Sequence, residues 1–327
     1  MRDTFDRKID YLRISVTDRC NLRCRYCMPE EGVPSIGHGQ LLSFEELFRV
    51  ARIAVEKGVR KIRLTGGEPL VRKGLISFVE RLCQLPQRPE LTLTSNGLLL
   101  ADQAAELKKV GLQRVNVSLD TLKPELFEQI TRRPGLDKVL EGICAAEKAG
   151  LWPLKVNMVP IRGVNADEIA DFARLTFEHD WQVRFIEFMP VSSGLDYPPE
   201  SRFPANEISE VLHAIAPLKA IERKGPAGPA RLYQYEGAKG VVGVIPAVSD
   251  HFCGECNRLR LTSDGFLRPC LFCEEEIDLR TPLRQGCSDE ELVQLLLGAV
   301  QIKPERHRIA EEHVVPTRRR KMQGIGG

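Results

Sequence analysis

Seven of the ten cysteines in this chain stand in two groups. Cys20, Cys24 and Cys27 are spaced x3 and x2, and follow a short β-rich run. Cys253, Cys256, Cys270 and Cys273 are spaced x2, x13 and x2. Clustered thiols in a reducing compartment are metal ligands or redox groups more often than structural bridges. The first group offers three thiolates with no fourth cysteine or histidine beside it. Structural zinc closes a tetrahedron of four ligands. A 4Fe–4S cluster is usually held by four cysteines, so three would leave one iron open to an outside ligand. The second group reads in two ways: a four-thiol zinc ribbon, or three ligands of an open cluster with Cys273 to spare. Cys83, Cys144 and Cys287 stand singly in or near helical patterns and read as small packing residues.

The second chemical signal is basic. Buried parallel strands normally read as nearly continuous apolar runs. Here Arg13 sits between Leu12 and Ile14, Lys61 and Arg63 lie two apart on one strand face, and Lys155 and Arg184 interrupt two later runs. A buried charge needs a partner, and matching acids are scarce in these runs. An interior that binds a strongly anionic ligand, such as a polyphosphate, accounts for them. No GxxxxGK[ST], complete GxGxxG or HExxH occurs, so the usual phosphate loops and the zinc-protease helix are excluded.

The elements that must position these residues alternate. Strands are expected at 11–16, 59–64, 91–94, 114–119, 154–159 and 183–188, with helical patterns between them. Ser43 with Glu46 fits a capping box, and Asn165 with Glu168 a weaker one. Strand–helix alternation implies a parallel sheet with right-handed crossovers. Six units make an open sheet or an incomplete barrel, short of an eight-unit barrel of about 250 residues. The polar signatures Thr65–Pro69, Thr94–Gly97, Ser118–Asp120 and Glu187–Pro190 fall at strand C-termini, where α/β folds build their sites. The alternation stops near Pro190. Beyond it, apolar runs at 231–235, 241–246, 258–262 and 266–268 suggest a small antiparallel or irregular layer. A helix capped by Ser288 and Glu291 covers 288–302, and a basic tail ends in Gly326-Gly327.

Lys and Arg number 47 and Asp and Glu 45, a net charge of +2. That balance argues against a broadly basic nucleic-acid binder. No signal peptide and no run of about 18 apolar residues is present. A cytoplasmic protein without membrane contact is expected.

CxxxCxxC after the first strand, with Tyr26 before the last cysteine and Gly66-Gly67-Glu68-Pro69 after the second, resembles the radical S-adenosylmethionine superfamily. The resemblance implies a 4Fe–4S cluster on Cys20, Cys24 and Cys27, with S-adenosylmethionine as co-substrate on its open iron and the Gly-Gly-Glu segment facing the methionine amino group. Phe252 to Arg260, with Cys270 and the terminal Gly-Gly, is similar to the GTP 3′,8-cyclase family within it. That likeness runs from about Leu12 to the last residue. It implies a second 4Fe–4S cluster on Cys253, Cys256 and Cys270 whose open iron takes guanine. Cys273 departs from this three-cysteine pattern: as a fourth ligand it would block guanine.

Position by position, the resemblance assigns Arg13, Arg63, Thr94, Lys155, Arg258, Leu259 and Arg260 to GTP, with Leu259 contributing backbone. Lys61 and Arg184 are further candidates. Tyr26, Gly67, Ser118 and Met189 fall to S-adenosylmethionine. The implied fold is a partial (β/α)6 TIM-type barrel, residues 1–190, with a C-terminal α+β extension, 191–327, carrying the second cluster and the tail. The implied enzyme is a lyase of molybdenum cofactor biosynthesis. A 5′-deoxyadenosyl radical takes the C3′ hydrogen of GTP and C3′ joins C8. The product passes to cyclic pyranopterin monophosphate synthase. The reductant is unspecified, and a homodimer stays open. Competing readings are a peptide-modifying radical maturase and a zinc-ribbon binding module.

Overall fold

The structure is a computed structural model of the 327-residue chain and describes residues 1–34, 36–37, 39–189, 197–222, 228–307 and 322–326. The Arg318–Lys321 run, Pro190 and Gly327 lie outside the described residues.

Six strands pair in parallel in chain order: β1 (Tyr11–Ser15), β2 (Lys61–Thr65), β3 (Glu90–Ser95), β4 (Arg114–Ser118), β5 (Lys155–Met158) and β6 (Gln182–Ile186). The crossovers hold α1 (Phe44–Glu56), α2 (Leu75–Cys83), α3 (Leu100–Lys109), α4 (Pro124–Thr131), α5 (Leu136–Lys148) and α6 (Ile169–Glu178). This is the expected β/α alternation.

The later strands are β7 (Leu218–Ala220), β8 (Arg231–Tyr235), β9 (Val241–Ile245), β10 (Arg258–Leu261), β11 (Phe266–Arg268) and β12 (Ile277–Asp278). They do not form a separate layer, which corrects the expectation from sequence. β9 adds to β6 and β10 to β1, both in parallel, and antiparallel strands follow beyond each. The sheet runs β12-β11-β10-β1-β2-β3-β4-β5-β6-β9-β8-β7 and stays open. The physical reason is the edge of the six-strand sheet: unpaired N–H and C=O groups on β1 and β6 invite a further strand. β7 and β12 escaped notice because three and two residues cannot show an alternation.

The remaining helices are α7 (Ala205–His213), α8 (Arg280–Arg284), α9 (Asp289–Gln301) and α10 (Met322–Ile325). Capping boxes open α1 and α9 as expected. Asn165 does not cap. Its amide accepts from Ile161 N and donates to the Asp120 and Val159 carbonyls, while Glu168 accepts from Thr121 and Leu122 N. The pair therefore fastens the loops after β4 and β5.

The two sheet faces differ sharply. Leu12, Ile14, Ile62, Leu64, Leu91, Leu93, Val115, Val117, Val156, Val183 and Phe185 alternate onto one face, where they are buried in the main core with Leu47, Val50 and Ala51 of α1. Each such side chain contributes roughly 1.5–3 kcal/mol. That layer anchors the strands and leaves the opposite face free to be polar. Cys83 and Cys287 pack against the core, but Cys144 is exposed, contrary to expectation. Among the described residues no helix is long and apolar enough to cross a membrane.

Candidate active site

Strand register places the basic residues on one face. Arg13 lies between Arg63 and Arg260, Tyr11 between Lys61 and Arg258, and Lys155 beside Asn116, while Asn157 neighbours Arg184. Arg13, Lys155, Arg184 and Arg260 are buried. Among the described residues, the one acid that register brings to this group of strands is Glu90, which pairs with Lys61 at 3.4 Å and with Arg114. Among the described residues Lys155 forms no ion pair.

The electrostatic consequence is consistent across the face. Burial, then Arg184, Arg114, Arg63 and Lys61, pull Lys155 down to about 5. Burial pulls Lys61 down to about 8, with Arg114 and Arg63 adding to it. Burial would raise the Tyr11 hydroxyl, but Arg63, Arg13, Lys61 and Arg258 overcome it and bring Tyr11 to about 8. Burial and then Arg260 push Arg13 well below the usual arginine range. Arginine does not give up its proton in proteins, so that depression expresses first the cost of burying the charge and then that of its like-charged neighbours. An anion would relieve it. Among the described residues, neutral atoms on the same face stand without a hydrogen bond: the Tyr11 hydroxyl, Thr94 Oγ1, both amide atoms of Asn116 and Asn157 Oδ1 are buried and unmatched. Such atoms are uncommon in native interiors, and here they collect where a polar, anionic ligand would meet them.

Leu259 differs from its neighbours. It alternates onto the apolar face and is 1% exposed, so its side chain does not reach the basic face. Arg258 and Arg260 flank it on the basic face. Arg258 lies over the Phe252 ring, 4.6 Å from its centroid, and Arg260 Nη1 donates to the Gly326 carbonyl at 2.7 Å.

The first cysteine group lies at the C-terminal edge of the strands, in the loop after β1. Its backbone is fastened to the end of α4: Arg23 N and Arg25 N donate to the Thr131 and Ile130 carbonyls, and Arg132 Nη1 donates to the Arg23 and Met28 carbonyls. Gly66 and Gly67 fit against residues 17–19, since a Cβ on Gly67 would lie 2.3 Å from the Arg19 carbonyl oxygen. Gly67 N and Glu68 N donate to the Thr17 and Arg19 carbonyls, both at 2.7 Å. Glu68 is 1% exposed. It accepts from Ser95 Oγ, Asn96 N and Leu70 N, so its side chain joins the β2 and β3 exits, and after burial its charge helps raise the Cys20 thiol. Burial raises it to about 7 against those hydrogen bonds. The Tyr26 hydroxyl donates to Asp120 Oδ2 at 2.6 Å, and Asp120 Oδ1 accepts from Val159 N. Ser118 ends β4 opposite Asn157, and Met189, beyond β6, packs against the small cluster of Ala230, Ile245, Ala247 and Val248.

The second cysteine group lies at the opposite edge. Cys253 and Cys256 precede β10, which runs parallel to β1. β11 returns antiparallel and delivers Cys270 to the same end. The two groups therefore bracket the basic face along strands of five residues, about 16 Å at 3.3 Å per residue.

The thiols respond to one another. Burial raises Cys24 well above the usual range, helped by Cys27, Asp120 and Cys20. Burial raises Cys253, with Cys270 and Cys256 adding to it. Burial works against Cys256 ionisation too, but Arg258 and Lys303 outweigh it and hold that thiol low. The Cys273 thiol lies beside Cys270 and lowers it, itself rising, and Cys273 Sγ donates to the Cys270 and Glu275 carbonyls at 3.4 and 3.6 Å. Among the described residues no three His, Cys, Asp or Glu side chains gather as ligands of a single metal ion do. The thiolates of a four-iron cluster each take a different iron and need no common point, and this donor set, three thiols at one edge and four at the other, suits such a cluster at each.

Sequence reasoning did not single out Tyr11, Arg114, Asn116 or Gln182, which share the basic face. Their signal was the two-residue period counted from Arg13 and Lys155.

A family model described as Radical SAM superfamily matches residues 14–176, and one described as Molybdenum Cofactor Synthesis C matches 181–309. A GTP 3′,8-cyclase of Pelotomaculum thermopropionicum is 49% identical over 328 residues, covering 100% of both chains. One from Geobacter sulfurreducens is 50% identical over 305 residues, covering 93% of each. Among solved structures, Streptococcus suis SuiB bound to S-adenosylmethionine matches with a TM-score of 0.63 at 14% identity, over 94% of this chain and 78% of that one, a likeness of fold. With identity near one half along its full length, this chain belongs to the GTP 3′,8-cyclase family of the Radical SAM superfamily.

Proposed function

We propose that this chain converts GTP to (8S)-3′,8-cyclo-7,8-dihydroguanosine 5′-triphosphate, the first step of molybdenum cofactor biosynthesis. The observation that carries the reading is one polar sheet face, rich in buried cations and partnerless polar atoms, with a cysteine group at each end. Cys20, Cys24 and Cys27 would hold a 4Fe–4S cluster that takes S-adenosylmethionine. Cys253, Cys256 and Cys270 would hold the second, with Cys273 outside the ligand set. When bound, the first cluster and S-adenosylmethionine supply the radical that removes the C3′ hydrogen.

The chain's own residues bind and orient. Arg13, Arg63, Arg258 and Arg260, with Lys155, Lys61 and Arg184, meet the triphosphate. Guanidinium forks suit its oxygens, and the buried setting strengthens each contact. The Thr94 hydroxyl and the Asn116 and Asn157 amides offer neutral donors and acceptors to the nucleoside. Leu259 contributes backbone alone. Tyr26, Gly67, Ser118 and Met189 serve S-adenosylmethionine at the other edge. Fixing one ribose hydrogen toward the radical source is the main task of such a site. The chain divides near residue 190 into the barrel and a segment bearing the second cluster and the tail, a division supported by the family models at 14–176 and 181–309. A one-electron reductant feeds the first cluster, and an enzyme that builds the pyranopterin consumes the product.

Anaerobic reconstitution, metal analysis and incubation with GTP, S-adenosylmethionine and dithionite test this. About eight irons per chain are expected from two four-iron clusters, with GTP consumed in step with 5′-deoxyadenosine. Zinc replacing half the iron, or 5′-deoxyadenosine formed while GTP persists, would defeat the assignment.

A further inference from the structure

Lys303, just beyond α9, is 3% exposed. Its Nζ donates to the Arg258 carbonyl at 2.9 Å and the Pro269 carbonyl at 2.6 Å. Arg258 lies two residues after Cys256, and Pro269 immediately precedes Cys270. One ammonium thus clasps both arms that carry the second cysteine group. Among the described residues no carboxylate stands within ion-pair distance of it. Arg7, at the same edge, shows the contrast. It too donates to carbonyls, those of Cys253, Pro304 and Glu305, but its Nε is matched by Asp3 at 2.6 Å.

A buried cation without an anion is strongly unfavourable. The anionic groups that this geometry offers Lys303 are the thiolates on the two arms it clasps, Cys256 beside Arg258 and Cys270 beside Pro269. A four-iron cluster on three thiolates is net negative, and more so when reduced. A fixed positive charge nearby therefore favours the reduced form, as net charge and hydrogen bonding around such clusters set their potentials.

We propose that Lys303 is the built-in counter-charge of the second cluster: a positioning residue that clasps the two ligand arms and raises the potential of that cluster over what the thiolates alone would give. This rests on the reading that Cys253, Cys256 and Cys270 hold an iron cluster.

The test uses full-length, anaerobically reconstituted protein. Metal analysis of the wild type comes first: zinc at the second site would sink the underlying reading before any variant is made. EPR-monitored redox titration then compares wild type with Lys303→Met, Lys303→Gln and Lys303→Arg. The second-cluster signal is expected to shift to more negative potential in the Met and Gln variants and to return toward wild type in the Arg variant, while the first cluster stays unchanged. An unshifted second-cluster potential in the neutral variants overturns the proposal. So does loss of the second cluster's iron in all three, because that outcome leaves Lys303 a purely structural clasp.

Discussion

The Arg260 guanidinium donates to the carbonyl of Gly326 at 2.7 Å, which carries the end of the chain onto the basic face between the two cysteine groups. Gly326 is suited to that place. Its φ is +72°, and a Cβ there would lie 2.2 Å from Thr65 Oγ1 and 3.3 Å from Ser15 Cβ. The Gly326→Ala variant is expected to displace the tail and expose Arg260. Cyclisation should fall at least about tenfold, the scale of about 1.4 kcal/mol of lost transition-state positioning. Iron content and 5′-deoxyadenosine formation should persist. Product and 5′-deoxyadenosine are quantified together by chromatography, and a parallel loss of both would show that the tail serves radical generation rather than the nucleotide.

The Tyr26–Asp120 hydrogen bond joins the first cysteine loop to the exits of β4 and β5, because Asp120 also accepts from Val159 N. Asp120 is buried and Tyr26 half-buried, so removing the hydroxyl leaves a buried carboxylate oxygen without its donor. That costs about 1–3 kcal/mol. Tyr26→Phe is expected to lower the Tm of the reconstituted protein and slow reductive cleavage of S-adenosylmethionine, with nucleotide affinity unchanged. Equilibrium binding of GTP measured beside the cleavage rate separates the two edges of the site.

Much of this was legible in the sequence, for identifiable reasons. The six parallel strands announced themselves because Leu12, Ile62 and Val156 alternate with Arg13, Lys61 and Lys155, and cations inside apolar runs are conspicuous. The cysteine groups were legible from spacing alone. What stayed hidden depends on pairing across the chain. Nothing near Val241 or Arg258 says that these strands complete the two edges of the barrel sheet, since edge capture is decided by free backbone groups on β6 and β1. The hydrogen bonds by which the Glu68 side chain ties the β2 exit to the β3 exit are a tertiary choice invisible in GGEP. Asn165 resembled a helix cap, but the buried Asp120 and Val159 carbonyls claim its amide. Nothing in the sequence marks Asn116, which only the register sets beside Lys155.

Arg13 stands between Arg63 and Arg260 in the sheet register, and burial plus its like-charged neighbours make its charge costly. Arg13→Met removes hydrogen bonds to a charged ligand, worth about 1.5–3 kcal/mol, so GTP affinity should fall about 10- to 150-fold. GTP titration of the variant beside the wild type checks this, and an unchanged affinity would mean that Arg13 does not meet the triphosphate.

The depressed lysines make nucleotide binding a proton-linked event. Lys155, held down to about 5 by burial and then by its basic neighbours, is largely a neutral amine at pH 7 in the nucleotide-free protein. A phosphate beside it favours the ammonium, so the bound form has the higher pKa. Below about pH 5 both forms are already protonated and nothing is exchanged. Above that pH, binding draws a proton from solvent, and affinity falls as pH rises until the bound form also releases it. Lys61, held at about 8, adds a second uptake only in more alkaline buffer. Calorimetric GTP titrations in buffers of different ionisation enthalpy should show uptake of about one proton per site at pH 7. Lys155→Met should abolish that uptake and flatten the pH dependence of affinity between pH 6 and about 8. Heats that do not depend on the buffer in the wild type would show that Lys155 enters the complex in the protonation state it already had.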